Sequence, residues 1–120
     1  MDKSEFIKQF KSRTKALAVK IVLFYDEMPK TDASRVMGRQ LIRSVTSTAA
    51  NYRAACIARS SKEFYAKMSI VVEEADETLF WLEMIKDTGM ATEEKLKPFI
   101  KEATEIAKVM SVARKNVDRS

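Results

Sequence analysis

Two glycines and two prolines are the only strong interruptions in this chain of 120 residues. Sheets turn on such residues, and a β-protein of this size would need far more of them. Helix-favouring residues fill the rest and β-branched runs are short, so the sequence predicts an all-α protein. The breaks fall at three places. Met28-Pro29-Lys30-Thr31-Asp32 ends one helix and caps the next, with Thr31 or Asp32 accepting from free backbone N–H groups. Ser60-Ser61-Lys62-Glu63 has the capping-box pattern, and Asp87-Thr88-Gly89 offers a left-handed stop before a new cap at Thr92-Glu93-Glu94. The spacing predicts helices over residues 12–28, 33–58, 61–88 and 93–117. Connections this short make neighbours antiparallel, which gives an up-down four-helix bundle in one domain. Residues 1–11 are expected as a loose helical extension, and Pro98 either kinks the fourth helix or marks its true start.

Charge is sharply partitioned along the chain. Between Ala33 and Lys62 stand five arginines and one lysine without a carboxylate. Between Glu63 and Asp87 stand seven carboxylates against two lysines. On a helical wheel Met37, Leu41, Val45, Thr48, Tyr52 and Cys56 share one arc of the second helix, and Arg35, Arg39, Arg43 and Arg53 share the opposite side. Gly38 lies at the edge of the core arc. It costs about 1 kcal/mol against alanine, which points to a close approach by another helix. The third helix has a core seam of Phe64, Met68, Val71, Ala75, Thr78, Leu82 and Ile85. Its Ile70, Trp81 and Met84 are read on the opposite side, among Glu73, Glu74 and Glu77, and a single bundle has no second core for them. They are expected at a subunit interface, with Glu73 and Glu77; packing between two neighbouring helices of one bundle is the competing reading. Thr48 and Asn51 are expected in structural roles, with Asn51 tying two helices together.

Little in the sequence supports catalysis. The chain has no histidine, one cysteine and no glycine-rich phosphate loop. Cys56 has neither a disulfide partner nor a zinc-ligand companion, and Glu73 and Glu77, one turn apart, read as solvated or cross-subunit charges. Neither a catalytic residue, a metal site nor a cofactor is expected. No stretch of about 18 apolar residues marks a membrane span, and the basic ridge is not set against an exposed apolar face as a membrane-surface helix requires. Met1-Asp2-Lys3-Ser4-Glu5 lacks the apolar core of a signal peptide, so the expected location is the cytoplasm.

The run Gln40-Leu41-Ile42-Arg43-Ser44-Val45-Thr46-Ser47-Thr48-Ala49-Ala50-Asn51 carries a resemblance. With Ala54-Ala55, Arg59-Ser60, Glu63-Phe64, Glu74-Ala75-Asp76-Glu77-Thr78 and Trp81-Leu82, it resembles the bacterial four-helix bundle family called the intervening-sequence proteins. Some members of that family are encoded inside insertions in large-subunit ribosomal RNA genes. A related branch includes the accessory variability protein of diversity-generating retroelements. The resemblance covers about residues 12–115, although Tyr52-Arg53-Ala54-Ala55-Cys56 departs from the family's commonest form. It implies a bundle that assembles as a ring-like homopentamer and, for the retroelement branch, binding to nucleic acid and to a reverse transcriptase.

Two functions fit these residues. In the leading one, a homo-oligomeric accessory protein meets RNA or DNA phosphates through Arg35, Arg39, Arg43 and Arg53, with Lys11, Arg13 and Lys15 contributing, and reads little sequence. The net charge of +5 supports contact with polyanions. In the alternative, the basic and acidic helices of neighbouring subunits pair with each other, and the product is an assembly module without a nucleic-acid ligand.

Overall fold

A computed structural model describes residues 1–117. It contains four helices: α1 (Lys3–Glu27), α2 (Asp32–Ala55), α3 (Ser61–Asp87) and α4 (Glu93–Lys115). They run up and down in chain order, α2 against α3, α3 against α4 and α1 against α2, with α1 and α4 closing the bundle more loosely. The chain is therefore the all-α bundle that its sparse turn residues predict.

Each helix starts where a short polar side chain relieves the first free N–H groups. Thr31 accepts from Ser34 N at 3.1 Å, and Ser34 Oγ accepts from Thr31 N at 2.8 Å, a capping box with serine in the reaching role. Ser60 accepts from Glu63 N at 3.0 Å. Glu63 does not reach back as its sequence pattern suggests; it pairs with Arg59 at 3.4 Å instead. Gly89, with φ 71°, ends α3, and Met90 N reaches back to Ile85 O at 3.1 Å.

The first helix corrects the sequence reading. Residues 3–11 are not a loose extension but the opening turns of α1, capped by Asp2, whose carboxylate accepts from Glu5 N at 2.8 Å. Phe10 is buried and Phe6 stacks on it with ring centroids 4.8 Å apart, so aromatic burial holds these turns down. Pro98 neither starts nor breaks α4. Its missing N–H deprives only the carbonyl of Glu94, and both residues are exposed, so that carbonyl is open to solvent.

The core follows the predicted seams. Leu41, Val45, Thr48 and Tyr52 of α2 are buried, while Met37 and Cys56 are partly covered. All of the α3 seam is buried except half-covered Phe64. Thr14, Ser44, Thr48 and Thr78 place hydroxyls inside, and each bonds a carbonyl of its own helix. Ser44 and Thr78 also meet across α2 and α3 at 3.1 Å. Asn51 does not tie two helices together; it donates to Ser47 O one turn back.

Candidate nucleic-acid interface

Exposed positions on adjacent α1 and α2 build one basic side of the bundle. Lys11, Lys15 and Arg53 line a groove of about 760 Å³ between the two helices, with Val19, Val22, Ala49 and Ala50 among its other walls. The small side chains Ala18, Ala49 and Ala50 let the helices come close and leave the groove shallow and apolar. Three of the seven cations expected at the site thus come together there, from two helices far apart in sequence. Arg39 and Arg35 lie on the same outer side of α2 and do not line the groove.

Ion pairing divides the predicted cations into two groups. Arg43 crosses to α3, where it pairs with Glu74 at 2.7 Å and with Glu77. Gln40 also accepts from its Nε at 3.2 Å. Arg13 crosses to α4, pairing with Glu102 at 2.6 Å and Glu105 at 3.1 Å, while its guanidinium lies over the Phe10 ring. These two guanidiniums staple the bundle and are spent within the chain. Their carboxylate partners hold both even more firmly protonated than a free arginine, and Arg13 in turn holds the Glu102 carboxyl below the usual carboxylate range. Arg35 has only the exposed Asp32 beside it, at 3.6 Å. Arg39, Arg53, Lys11 and Lys15 make no ion pair among the described residues.

The residues expected at a subunit interface are also divided. Ile70 is 40% exposed and Glu73 is exposed. Trp81, expected on a face turned away from the core, packs against it half-buried, and its Nε1 donates to Glu77 at 3.2 Å. Met84 is half-buried as well. Trp81 and Glu77 are thus partly covered within their own bundle. On the wheel Trp81 stands only about 40° from Ile85, at the edge of the seam, which is why it is partly covered. Phe80, 49% exposed with its ring edge-on to Trp81, is the large apolar side chain on that face that sequence reasoning missed. Exposed Val19, Val22 and Leu23 on α1 were missed too, although α1 carries more apolar residues than one core stripe needs.

Cys56 lies in a separate cleft at one end of the bundle, with Phe6, Phe64 and Arg59 among its lining. Burial pushes the thiol up from its ordinary value, the neighbouring Tyr52 only partly offsetting it. No group of metal-binding side chains occurs among the described residues, and no described helix is long and apolar enough to cross a membrane.

Fold and surface together define a small helical-bundle protein whose charge is divided between two adjacent helices. The chain belongs to the 23S rRNA-intervening sequence protein family, whose pattern it matches over residues 8–112. A solved structure of a protein of unknown function from the S23 ribosomal protein family of Bacteroides thetaiotaomicron VPI-5482 is similar to it. That structure shares 34% sequence identity and a TM-score of 0.79, over 88% of this chain and 98% of the other. No curated protein matches it.

Proposed function

We propose that this chain is a non-enzymatic, homo-oligomeric accessory protein that binds RNA or DNA through the outer side of α1 and α2, with little sequence preference. The supporting observation is the set of cations left over after internal pairing. Among the described residues Arg39, Arg53, Lys11 and Lys15 have no carboxylate partner, and Arg35 has only an exposed one. Free guanidinium and ammonium groups on one side attract phosphates whatever the base sequence. The groove beside them is walled mostly by aliphatic side chains, with Ser12 and Thr46 the uncharged polar ones. Repetition around an oligomer would multiply weak contacts into useful affinity. A reverse transcriptase is a further partner that the retroelement branch suggests for this reading.

The alternative, copies joined by charge without nucleic acid, draws support from the acidic α3. It loses Arg43, Glu74 and Glu77, which already satisfy one another within one chain. Fluorescence anisotropy with labelled RNA and DNA of unrelated sequences separates the two. Binding is expected to be similar across sequences and to fall steeply with salt. Arg35→Glu/Arg39→Glu should weaken it and flatten the slope by roughly one unit per phosphate contact removed. Absence of binding at low salt, or an unchanged slope in this variant, would refute the proposal.

A further inference from the structure

The fourth helix carries a basic surface that the α1–α2 side does not include. It packs against α3 and, more loosely, α1, diagonally across the bundle from α2. Lys97, Lys101, Lys108 and Lys115 are all exposed on it. On a helical wheel the four fall within about 40° of one another, a straight stripe about 27 Å long. The buried residues Leu96, Ala103, Ile106 and Met110 centre about 160° away, so the stripe points outward from the core. None of these lysines makes an ion pair among the described residues. Glu93, Glu94 and Glu105 border the stripe. Glu105 is held by Arg13 at 3.1 Å and Glu93 stands 4.0 Å from Lys86, which leaves Glu94 beside the first lysine.

The fold does not need this arrangement. Lys97 and Lys101, one turn apart, repel each other, and the helix is less stable for it. An aligned row of uncommitted cations is compensated by a polyanion outside the chain. What surrounds the row decides which kind. Interfaces between proteins favour aromatic side chains and arginine and are depleted in lysine, and Val112 is the single large apolar side chain exposed on α4 among the described residues. The same lack of an apolar flank disfavours a lipid surface. Lysine ammoniums on a rigid helix are point charges that suit phosphates repeated along a backbone. We infer that the outer face of α4 is a second contact for a nucleic-acid backbone, separate from the α1–α2 side. This assignment takes its class of ligand from the proposed function; the face is new. Because α2 and α4 lie on a diagonal, one bundle can touch two nucleic-acid segments at once, one on each side.

Lysine acetylation read by mass spectrometry tests this on the full chain, free and with a short nucleic-acid duplex or single strand at low salt. Lys97, Lys101, Lys108 and Lys115 should each be acetylated several-fold more slowly in the complex. Lys101→Glu/Lys108→Glu, at two exposed positions, should keep the helical circular dichroism of wild type and flatten the salt dependence of binding by roughly two units. Equal acetylation of the four lysines with and without nucleic acid, while Lys11 and Lys15 are protected, would overturn the α4 face and leave the α1–α2 reading standing. Protection of the α4 lysines while Lys11 and Lys15 label freely would support this face and remove the other. Protection by poly-glutamate but not by nucleic acid would give the stripe to an acidic protein and overturn the assignment. Absence of any binding at low salt would remove both faces together.

Discussion

Replacing Gly38 with alanine should destabilise this protein, against the usual preference of helices. Gly38 lies inside α2, where alanine is favoured by about 1 kcal/mol. An added methyl, however, would overlap Cδ1 and Cε1 of the Tyr25 ring, packed against Gly38 from α1. The ring must swing outward. It then loses part of its burial, worth about 1 kcal/mol for a half-covered side chain. It also leaves the Lys30 ammonium, which sits 4.3 Å from its centroid, at a cost of about 0.5–1 kcal/mol. A loss near 2 kcal/mol set against a gain near 1 leaves Gly38→Ala less stable by about 1 kcal/mol. In a Tyr25→Ala background the obstacle is gone and the same change should stabilise by about 1 kcal/mol, a coupling near 2 kcal/mol in the cycle. Urea unfolding of the four proteins measures it, and the midpoint of thermal unfolding should move about 4 °C per kcal/mol. If Gly38→Ala stabilises both backgrounds equally, the close approach of α1 is not why glycine stands there.

Other residues give sharper contrasts than totals. Arg43→Ala should cost about 1–2 kcal/mol in urea unfolding, because Glu74, its side chain only 14% exposed, loses its cation; unpaired Arg53→Ala should change stability by less than about 0.5 kcal/mol. Glu102→Gln should cost about 1 kcal/mol near neutrality. Arg13 lowers the Glu102 carboxyl, so the advantage of wild type is present above the ordinary carboxylate range and disappears as pH falls through the lowered value; a difference that persists in strong acid would refute this. Ser44→Ala/Thr78→Val should be nearly neutral, since each hydroxyl is removed with its partner, whereas Ser44→Ala alone should cost about 1 kcal/mol. Cys56 should react with a thiol reagent at mildly alkaline pH far more slowly in the native chain than in denaturant, because the buried thiol resists ionisation.

Sequence pattern and structure agree where a local rule decides the outcome. Thr31, Ser60, Gly89 and Thr92 mark helix ends because caps and left-handed stops are settled within a few residues. The α3 seam was legible because a buried stripe repeats at helical spacing. The start of α1 was not, since Lys3, Lys8 and Lys11 make the segment look solvated and only tertiary burial of Phe10 fixes it. The candidate site was legible as a list of cations but not as a site. A wheel places Arg43 beside Arg39 on one ridge, yet the two differ in what lies across the next helix. Glu74 and Glu77 follow Arg43 by 31 and 34 residues, and no rule acting within one helix reports that encounter. Lys11, Lys15 and Arg53 converge for the converse reason: antiparallel packing brings the first half of α1 against the last turn of α2.

The charge partition that dominates the sequence is thus only partly a surface property. Had every arginine of α2 found a carboxylate on α3, the two helices would have neutralised each other and the bundle would present no basic side. The helical wheel prevents this. Only Arg43, at the α3-facing edge of the ridge, reaches across, while Arg35 and Arg53 lie some 80° further round toward solvent and α1. The acids on the outer part of α3 are left over for the same reason. A two-helix contact can pair charges only along its own seam, so a basic helix against an acidic one leaves a basic surplus on one side and an acidic surplus on the other. The proposed nucleic-acid interface draws on the cations of that geometric remainder.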